Sequence, residues 1–169
     1  MAFFEYLDKD IFSSLSREIF TVLANNMDRI APTGCSREED YACWYSTVGE
    51  GLKKEARQMI LIREHEGGGL IGFFQYYANE QSGIFMMEEA QIIPEFWGRG
   101  GIFRSLYEFV LSQLPSGITH VEAYADKRNS RSIGILGHLG LSSVGENRRG
   151  DALHFRGDIS ALNSWLHGI

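Results

Sequence analysis

The chain has few of the residues that build disulfide frameworks and metal sites. Its 169 residues include 2 cysteines, Cys35 and Cys43, and their spacing matches neither a zinc motif nor a disulfide framework. Because both fall in one predicted helical region, we expect them to pack as small apolar side chains. The 5 histidines are scattered along the sequence and show no metal-ligand spacing. No metal site is therefore predicted.

Long apolar runs and an excess of basic residues are also missing. No segment approaches the roughly 20 apolar residues that cross a bilayer, and the N-terminus lacks the basic and apolar regions of a signal peptide. With 16 basic and 22 acidic residues, the net charge is −6, which argues against a nucleic-acid-binding surface. We therefore expect a cytoplasmic protein without membrane or nucleic-acid partners. The acidic excess is compatible with a cationic substrate.

The sequence does contain enough apolar residues for one folded domain. Apolar residues make up 44% of the chain and aromatic residues 12%, which is sufficient for a core. The length is that of a single domain. We predict one domain over 1–169, in which 158–169 is a short C-terminal appendage. That appendage and exposed edge strands could support a homodimer.

Hydrophobic periodicity predicts an α/β domain built on a mixed sheet. Ser36 and Glu39 form a capping-box pattern at the start of one helix. The strand at 84–93, the helix at 102–114 and the strand at 119–125 form a βαβ unit, whose strands should be parallel. The other predicted strands are 3–7, 58–65, 70–78, 141–147 and 152–156, and the other helices are 13–26, 36–52, 130–139 and a short segment at 158–167.

Glycines crowd the junction between the strand and the helix of this βαβ unit, in the sequence PEFWGRGGIFRS at 94–105. Glycine lets the backbone approach a ligand closely, and the free amides at a helix start favour phosphate. A P-loop needs a lysine directly after its glycines, and none is present. Gly98, Gly100 and Gly101 do not have the spacing of a dinucleotide fold either.

Two stretches resemble the GCN5-related N-acetyltransferase (GNAT) superfamily. IIPEFWGRGGIFRSL at 92–106 resembles its motif A, where a strand ends in Pro-Glu-aromatic and Arg/Gln-x-x-Gly-x-Gly/Ala opens a helix over the coenzyme A pyrophosphate. VEAYADKRNSRSIGILGHLGL at 121–141 resembles motif B through Asn129, Ser132 and Leu139-Gly140-Leu141. The order of elements matches over nearly the whole chain. The resemblance implies a mostly antiparallel sheet of six to seven strands flanked by helices, with a central coenzyme A-binding βαβ unit.

Four residues depart from the usual GNAT pattern, and one of them, Leu141 in place of the usual Phe, is a mild apolar exchange. Trp97 stands where Arg or Gln is usual, and Ile102 occupies the final Gly/Ala position. Leu136 stands where many members carry a tyrosine that acts as general acid. These three departures concern the start of the helix and the general acid.

The resemblance implies an N-acetyltransferase that moves an acetyl group from acetyl-CoA to a primary amine of a small molecule or peptide, by direct attack in a ternary complex. The pantetheine arm would pair with the strand backbone, and the pyrophosphate would bind the amides that open the helix, assisted by two arginines. Asn129 fits a coenzyme contact and a helix N-cap about equally. The implied coenzyme contacts are Gln91, Ile92, Ile93, Arg99, Gly100, Gly101, Ile102, Phe103, Arg104 and Asn129.

Glu88 and Glu89 interrupt the apolar strand close to the implied acyl site, so one of them is a candidate general base. Since side chains alternate across a strand, only one faces a given side; we favour Glu89, and either could be a solvated carboxylate. Tyr124 is the first candidate to protonate the leaving thiolate, ahead of Ser132 and His138. The alternative function is a non-catalytic acyl-CoA-binding sensor or assembly module. The acyl chain length and the acceptor amine are open.

Overall fold

The computed structural model describes residues 1–99 and 101–168, and every predicted strand and helix is present in it. The strands are β1 (Phe3–Tyr6), β2 (Arg57–Arg63), β3 (Leu70–Asn79), β4 (Ile84–Ile92), β5 (His120–Asp126), β6 (Ser142–Glu146) and β7 (Ala152–Asp158). The helices are α1 (Phe12–Met27), α2 (Arg37–Leu52), α3 (Ile102–Gln113), α4 (Ser130–His138) and α5 (Ile159–His167). Within this part of the chain, no helix is both long and apolar enough to cross a membrane.

The seven described strands form a mixed, mostly antiparallel sheet in the order β1-β2-β3-β4-β5-β7-β6. β1 is antiparallel to β2, and β7 is antiparallel to both β5 and β6. β4 runs parallel to β5, with Ile84 opposite His120 and Met87 opposite Ala123. The predicted mixed sheet and its parallel βαβ unit are therefore confirmed.

Two compact units share β3 and β4. The first comprises Met1–Gln75 and Glu89–Ile102, and the second comprises Tyr76–Glu88 and Phe103–Ile169. In the first unit, α1 and α2 pack one apolar stripe each against β2 and β3, as the helical spacing predicted. The buried residues of this core are Leu7, Phe12, Ile19, Val22, Val48, Leu52, Met59, Leu61 and Phe73.

Ser36 begins α2 with the predicted capping box. Ser36 Oγ accepts a hydrogen bond from the Glu39 amide at 3.2 Å, and Glu39 Oε2 accepts one from the Ser36 amide at 2.8 Å. The Ser36 backbone N–H lowers the pKa of Glu39, because it stabilises the ionised carboxylate. These bonds satisfy amides that the helix itself leaves without partners.

Ser36→Ala is expected to lower the free energy of unfolding by about 1 kcal/mol, because the Glu39 amide loses its cap. Urea denaturation followed by circular dichroism measures this change. Ser46→Ala is the matched control, since it removes an exposed hydroxyl from the same helix without touching a cap. Equal effects of the two substitutions would contradict the capping role.

The expectation that both cysteines pack in apolar surroundings is wrong. Cys35 lies in the segment before α2 and Cys43 lies on α2, and both are exposed free thiols. The core-facing stripe of α2 passes through Trp44 and Val48. Cys43 precedes Trp44 directly, so it is turned about 100° away from that stripe.

The second unit has its own core, to which α5 belongs. Leu162 and Leu166 of α5 are buried, and the Trp165 ring meets Tyr107 of α3 edge-on at 5.7 Å between centroids. Burial raises the pKa of Tyr107. The segment expected as a short appendage is thus a packed helix. Other fully buried residues of this unit are Phe85, Leu106, Val110, Val121 and Leu139.

Candidate active site

β4 carries the two candidate bases on opposite faces. Phe85 and Met87 are the buried positions at the start of the strand, and by alternation Glu89 and Gln91 continue their face while Glu88 lies on the other. Gln91 Nε2 donates a hydrogen bond to Glu89 Oε1 at 2.7 Å. This contact agrees with two side chains on one face.

The polar contacts of the first unit continue from Gln91 to Asn26, near the end of α1. Asn26 Nδ2 donates to Gln91 Oε1 at 2.8 Å and to the Ile92 carbonyl at 3.0 Å. Asn26 is only 3% exposed and Gln91 9%. Asn26 Oδ1 is the one buried side-chain nitrogen or oxygen in the described residues that has no hydrogen-bond partner.

Sequence reasoning missed Asn26, although a signal was present. The apolar stripe of α1 includes Ile19, Val22 and Leu23, and position 26 continues it by helical spacing. An asparagine on a core-facing stripe must find buried hydrogen-bond partners. The spacing could therefore have identified Asn26 as a residue with a specific polar role.

Trp97, which replaces the usual Arg or Gln, contacts the end of β4. Its Nε1–H donates to the Ile92 carbonyl at 2.7 Å, so that oxygen accepts hydrogen bonds from both Trp97 and Asn26. The next amide along the strand, Ile93 N–H, donates to the Ile71 carbonyl at 2.8 Å. The Ile92 carbonyl and the Ile93 amide are therefore already hydrogen-bonded to other groups of the protein.

The backbones of β3 and β4 approach closely at Gly72. A Cβ on Gly72 would collide with the Gln91 carbonyl oxygen and would lie 3.1 Å from Ile92 Cα. No side chain fits at that distance from the backbone, so only glycine lets the two strands lie as they do. Gly72 thereby supports the strand segment that was predicted to bind the pantetheine arm.

The glycine junction leads from β4 through the 3₁₀ turn Pro94–Phe96 into α3. Gly98 has φ +69° and Gly101 has φ +65°, a left-handed conformation that glycine adopts without strain. No heavy atom lies within 4 Å of the position where a Cβ of Gly101 would be. The turn is thus open on that side. Gly100, predicted as a coenzyme contact, lies outside the described residues.

Two amides of this junction donate to backbone carbonyls, and two others lie in the first turn of α3. Arg99 N–H donates to the Phe96 carbonyl at 3.3 Å, and Ile102 N–H donates to the Arg99 carbonyl at 3.4 Å. Phe103 and Arg104 occupy the first turn of α3, where amides have no partner within the helix. Ile102 is buried. Its side chain is therefore packed in the interior and leaves the open side of the turn clear.

Both arginines predicted to assist a pyrophosphate are exposed. In the second unit, the Arg104 guanidinium lies 5.4 Å from the centroid of the Trp165 ring. A guanidinium at this distance from an indole is attracted by the negative face of the ring. Arg104 is thus held at the start of α3 by a residue of α5.

Tyr124 belongs to a cluster in the second unit that the sequence did not reveal. It is 47% exposed and stacks on His154, with ring centroids 4.5 Å apart and an angle of 10° between the planes. His154 Nε2 lies 2.7 Å from Glu122 Oε1, and Glu122 is buried. The β5–β7 register, which places Tyr124 opposite His154, brings these three residues together.

Asn129 is the N-cap of α4, because its Oδ1 accepts a hydrogen bond from the Ser132 amide at 3.0 Å. Just before it, the Arg128 side chain and then its backbone N–H lower the pKa of Asp126. Leu136 is buried and His138 is exposed. A coenzyme contact by Asn129 stays a prediction.

A cavity of about 620 Å³ in the first unit lies beside the C-terminal end of α1. It is lined by Val22, Asn25, Asn26, Asp28, Arg29, Ile93, Pro94 and Glu95. The described side chains include no group of three or more His, Cys, Asp or Glu residues that could hold a metal ion.

No family model matches the sequence, and no curated protein matches it. Solved structures do match it. An acetyltransferase from Thermus thermophilus has a TM-score of 0.71 and 14% identity over 94% of this chain and 97% of its own. A putative GNAT-family acetyltransferase from Desulfovibrio desulfuricans has a TM-score of 0.67 and 16% identity over 94% and 99%.

A third similar structure is spermidine N-acetyltransferase from Vibrio cholerae in complex with coenzyme A and spermine. Its TM-score is 0.61, with 12% identity over 96% of this chain and 98% of its own. At these identities the matches establish the fold. The chain has the GNAT fold, and the resemblance drawn from 92–106 and 121–141 is confirmed at that level.

Proposed function

We propose that the chain is an N-acetyltransferase that transfers an acetyl group from acetyl-CoA to a primary amine of a small molecule or peptide. The observation that carries this proposal is the junction at Gly101. There a left-handed glycine with open space beside it leads into the first amides of α3, which is the arrangement that an anion requires. The GNAT fold of solved acetyltransferases supports it.

The pyrophosphate of acetyl-CoA is proposed to bind the segment from Arg99 to Arg104. The amides of Phe103 and Arg104 would donate to it at the start of α3, where the helix dipole favours negative charge. The side chains of Arg99 and Arg104 would add charge-assisted hydrogen bonds. Asn129 is proposed to contact the coenzyme from the start of α4.

The pantetheine arm is proposed to pair with the backbone of Gln91, Ile92 and Ile93. Because Ile93 N–H is bonded to the Ile71 carbonyl, Ile92 N–H is the amide that we assign to the thioester carbonyl. A donor at that oxygen stabilises the charge that develops on it during acyl transfer. The thioester supplies the activated acetyl group.

Glu89 is proposed to take the proton from the acceptor amine, directly or through a water molecule. An alkylamine has a pKa near 10, so it needs a base before it can attack at neutral pH. The hydrogen bond from Gln91 Nε2 to Glu89 Oε1 supports Glu89 as the base, because it holds this carboxylate in one orientation. Tyr124 is the proposed proton donor to the leaving thiolate.

A cationic acceptor is supported by two facts. The chain carries a net charge of −6, and one structure of similar fold, the spermidine N-acetyltransferase from Vibrio cholerae, contains spermine. The proposal is tested by mixing the protein with acetyl-CoA and a panel of mono-, di- and polyamines. We expect release of the coenzyme A thiol with at least one amine, together with the acetylated product.

The second candidate is a catalytically silent domain that binds acyl-CoA as a sensor or assembly module. It is favoured by Leu136, a buried apolar residue where many GNAT enzymes carry a tyrosine acid. Acetyl-CoA binding without turnover across the whole amine panel would favour this candidate. No binding of acetyl-CoA would exclude both functions.

Gly101→Ala is expected to raise the dissociation constant of coenzyme A about tenfold, because losing one charge-assisted hydrogen bond costs about 1.5 kcal/mol. Isothermal titration calorimetry measures this constant. Gly98→Ala is the matched control, since Gly98 also has a positive φ and open space around it but lies before the helix start. An unchanged constant for Gly101→Ala, or equal losses in the two variants, would contradict the proposed phosphate site.

A further inference from the structure

Glu122, His154 and Tyr124 lie on one face of the sheet in the second unit. The β5–β7 register places Tyr124 directly opposite His154, and Glu122 directly opposite Arg156. Residues that lie opposite each other on neighbouring strands share a face, and so do residues two apart on one strand. All four side chains are therefore on the same side of the sheet, where they can contact one another.

The hydrogen bond of Glu122 runs diagonally between the two strands. Its Oε1 lies 2.7 Å from His154 Nε2, although Arg156 is the residue directly opposite it. Arg156 is exposed, whereas Glu122 is buried and needs a hydrogen-bond donor. A carboxylate only accepts, so the hydrogen of this bond is carried by His154 Nε2. Glu122 therefore fixes both the hydrogen position and the orientation of the His154 ring.

The His154 ring in turn supports the ring of Tyr124. The two rings are nearly parallel, with 4.5 Å between their centroids and 10° between their planes. Tyr124 is 47% exposed, and an exposed side chain that nothing restrains moves between rotamers. Stacking on a cross-strand partner restricts this movement. The position of the Tyr124 hydroxyl therefore depends on His154 and, through the hydrogen bond of its ring, on Glu122.

We infer that Glu122 and His154 are positioning residues for the Tyr124 hydroxyl. The inference rests on the proposed acetyltransferase function, in which the Tyr124 O–H bond breaks and the S–H bond of coenzyme A forms. The phenolate left behind takes a proton from water. A general acid must lie within hydrogen-bond distance of the atom that it protonates, and a misplacement of about 1 Å can lower a rate by about 10²-fold. His154 and Glu122 thus act on the rate through Tyr124.

The first test is a double-mutant cycle measured as turnover at saturating acetyl-CoA with the best amine of the panel. His154→Ala is expected to lower the turnover number about tenfold, and Tyr124→Phe at least as much, while the dissociation constant of acetyl-CoA changes by less than about twofold. The variant with both changes should be within about twofold of Tyr124→Phe, because the hydroxyl through which His154 acts is already missing. Losses that multiply, or unchanged turnover in either single variant, would overturn the inference.

Conservative variants test the role of Glu122. Glu122→Gln keeps an oxygen that accepts from His154 Nε2 and should retain turnover within about threefold, whereas Glu122→Ala should lose as much as His154→Ala. His120→Ala is the matched control, expected within about twofold, because His120 also lies near a carboxylate on β7, that of Asp158 at 3.8 Å, but is not opposite Tyr124. Equal losses in the two Glu122 variants would contradict the positioning role. Thermal melting checks folding, and if Glu122→Ala does not fold, the double-mutant cycle decides.

NMR of the chain with ¹³C-labelled tyrosine rings tests the positioning without catalysis. Tyr124→Phe identifies the Tyr124 signals among those of the 7 tyrosines by their loss. His154→Ala should shift these signals because it removes the stacked ring, and Glu122→Ala should shift them because it frees that ring. Glu122→Gln and His120→Ala should leave them nearly unchanged. Tyr124 signals that do not respond to His154→Ala would overturn the inference.

These measurements distinguish failure of the inference from failure of the proposed function. If the unaltered chain acetylates an amine but the losses in the cycle multiply, the positioning role fails and the acetyltransferase function stands. If the unaltered chain acetylates no amine of the panel, the proposed function fails, and the role of Glu122 and His154 in catalysis fails with it, whatever the tyrosine signals show.

Discussion

Glu89→Gln is expected to lower the turnover number of acetyl transfer by about 10²-fold, because the amide cannot take the proton of the amine. Glutamine keeps the size of the side chain and an oxygen that can accept from Gln91 Nε2. The dissociation constant of acetyl-CoA should therefore change by less than about twofold. Turnover is measured with saturating acetyl-CoA and the best amine of the panel, and binding by calorimetry.

The pH dependence gives an independent check. Without a base, only the neutral fraction of the amine reacts, and that fraction rises about tenfold per pH unit below the amine pKa near 10. Turnover by Glu89→Gln is therefore expected to recover as the pH rises from 7 to 9. A flat profile would show that the lost turnover has another cause.

Glu88→Gln is the matched control, because Glu88 carries the same group one position earlier on the opposite face of β4. We expect it to change turnover by less than about threefold. If only Glu88→Gln slows the reaction, the base is Glu88. Unchanged turnover in both variants would remove a carboxylate base from the mechanism.

Gly72→Ala is expected to lower the free energy of unfolding by about 3 kcal/mol, at the upper end of the usual cost of overpacking. The added Cβ would collide with the Gln91 carbonyl oxygen, and a backbone atom cannot move aside as a flexible side chain does. The end of β4 must then shift away from β3. Chemical denaturation measures the loss of stability, and calorimetry should show weaker acetyl-CoA binding.

Gly69→Ala is the control for Gly72→Ala. Gly69 directly precedes β3, has no positive φ, and has no heavy atom within 4 Å of its Cβ position. Such a change is neutral or stabilises by about 0.5 kcal/mol, since alanine restricts the unfolded chain. Equal stabilities of the two variants would show that the close approach at Gly72 is not required.

The elements and the glycine junction were predictable because both depend on local spacing. The apolar periods of 13–26 and 84–93 correspond to α1 and β4, and Ser36 with Glu39 marks the start of α2. The two motifs identify the GNAT fold because glycine and asparagine positions are set by turns and caps. Asn129, for example, caps α4.

The polar partners of the site were not predictable, because they depend on contacts between distant segments. Asn26 meets Gln91 across a separation of 65 residues. Tyr124 meets His154 only through the β5–β7 register, and the sequence does not determine which residues of two strands lie opposite. The cysteines were mispredicted for a simpler reason. Cys35 lies before α2, and Cys43 directly precedes Trp44, so it falls outside the core-facing stripe of that helix.

The two exposed thiols affect how catalysis can be measured. Reagents that detect coenzyme A release by reacting with sulfhydryl groups will also label Cys35 and Cys43, because both are exposed and free. Each chain then contributes a rapid signal of up to 2 equivalents, even without an acceptor. Only absorbance that keeps increasing after this initial phase reports multiple turnovers. A Cys35→Ser, Cys43→Ser double variant, or mass spectrometry of the acetylated amine, removes this background.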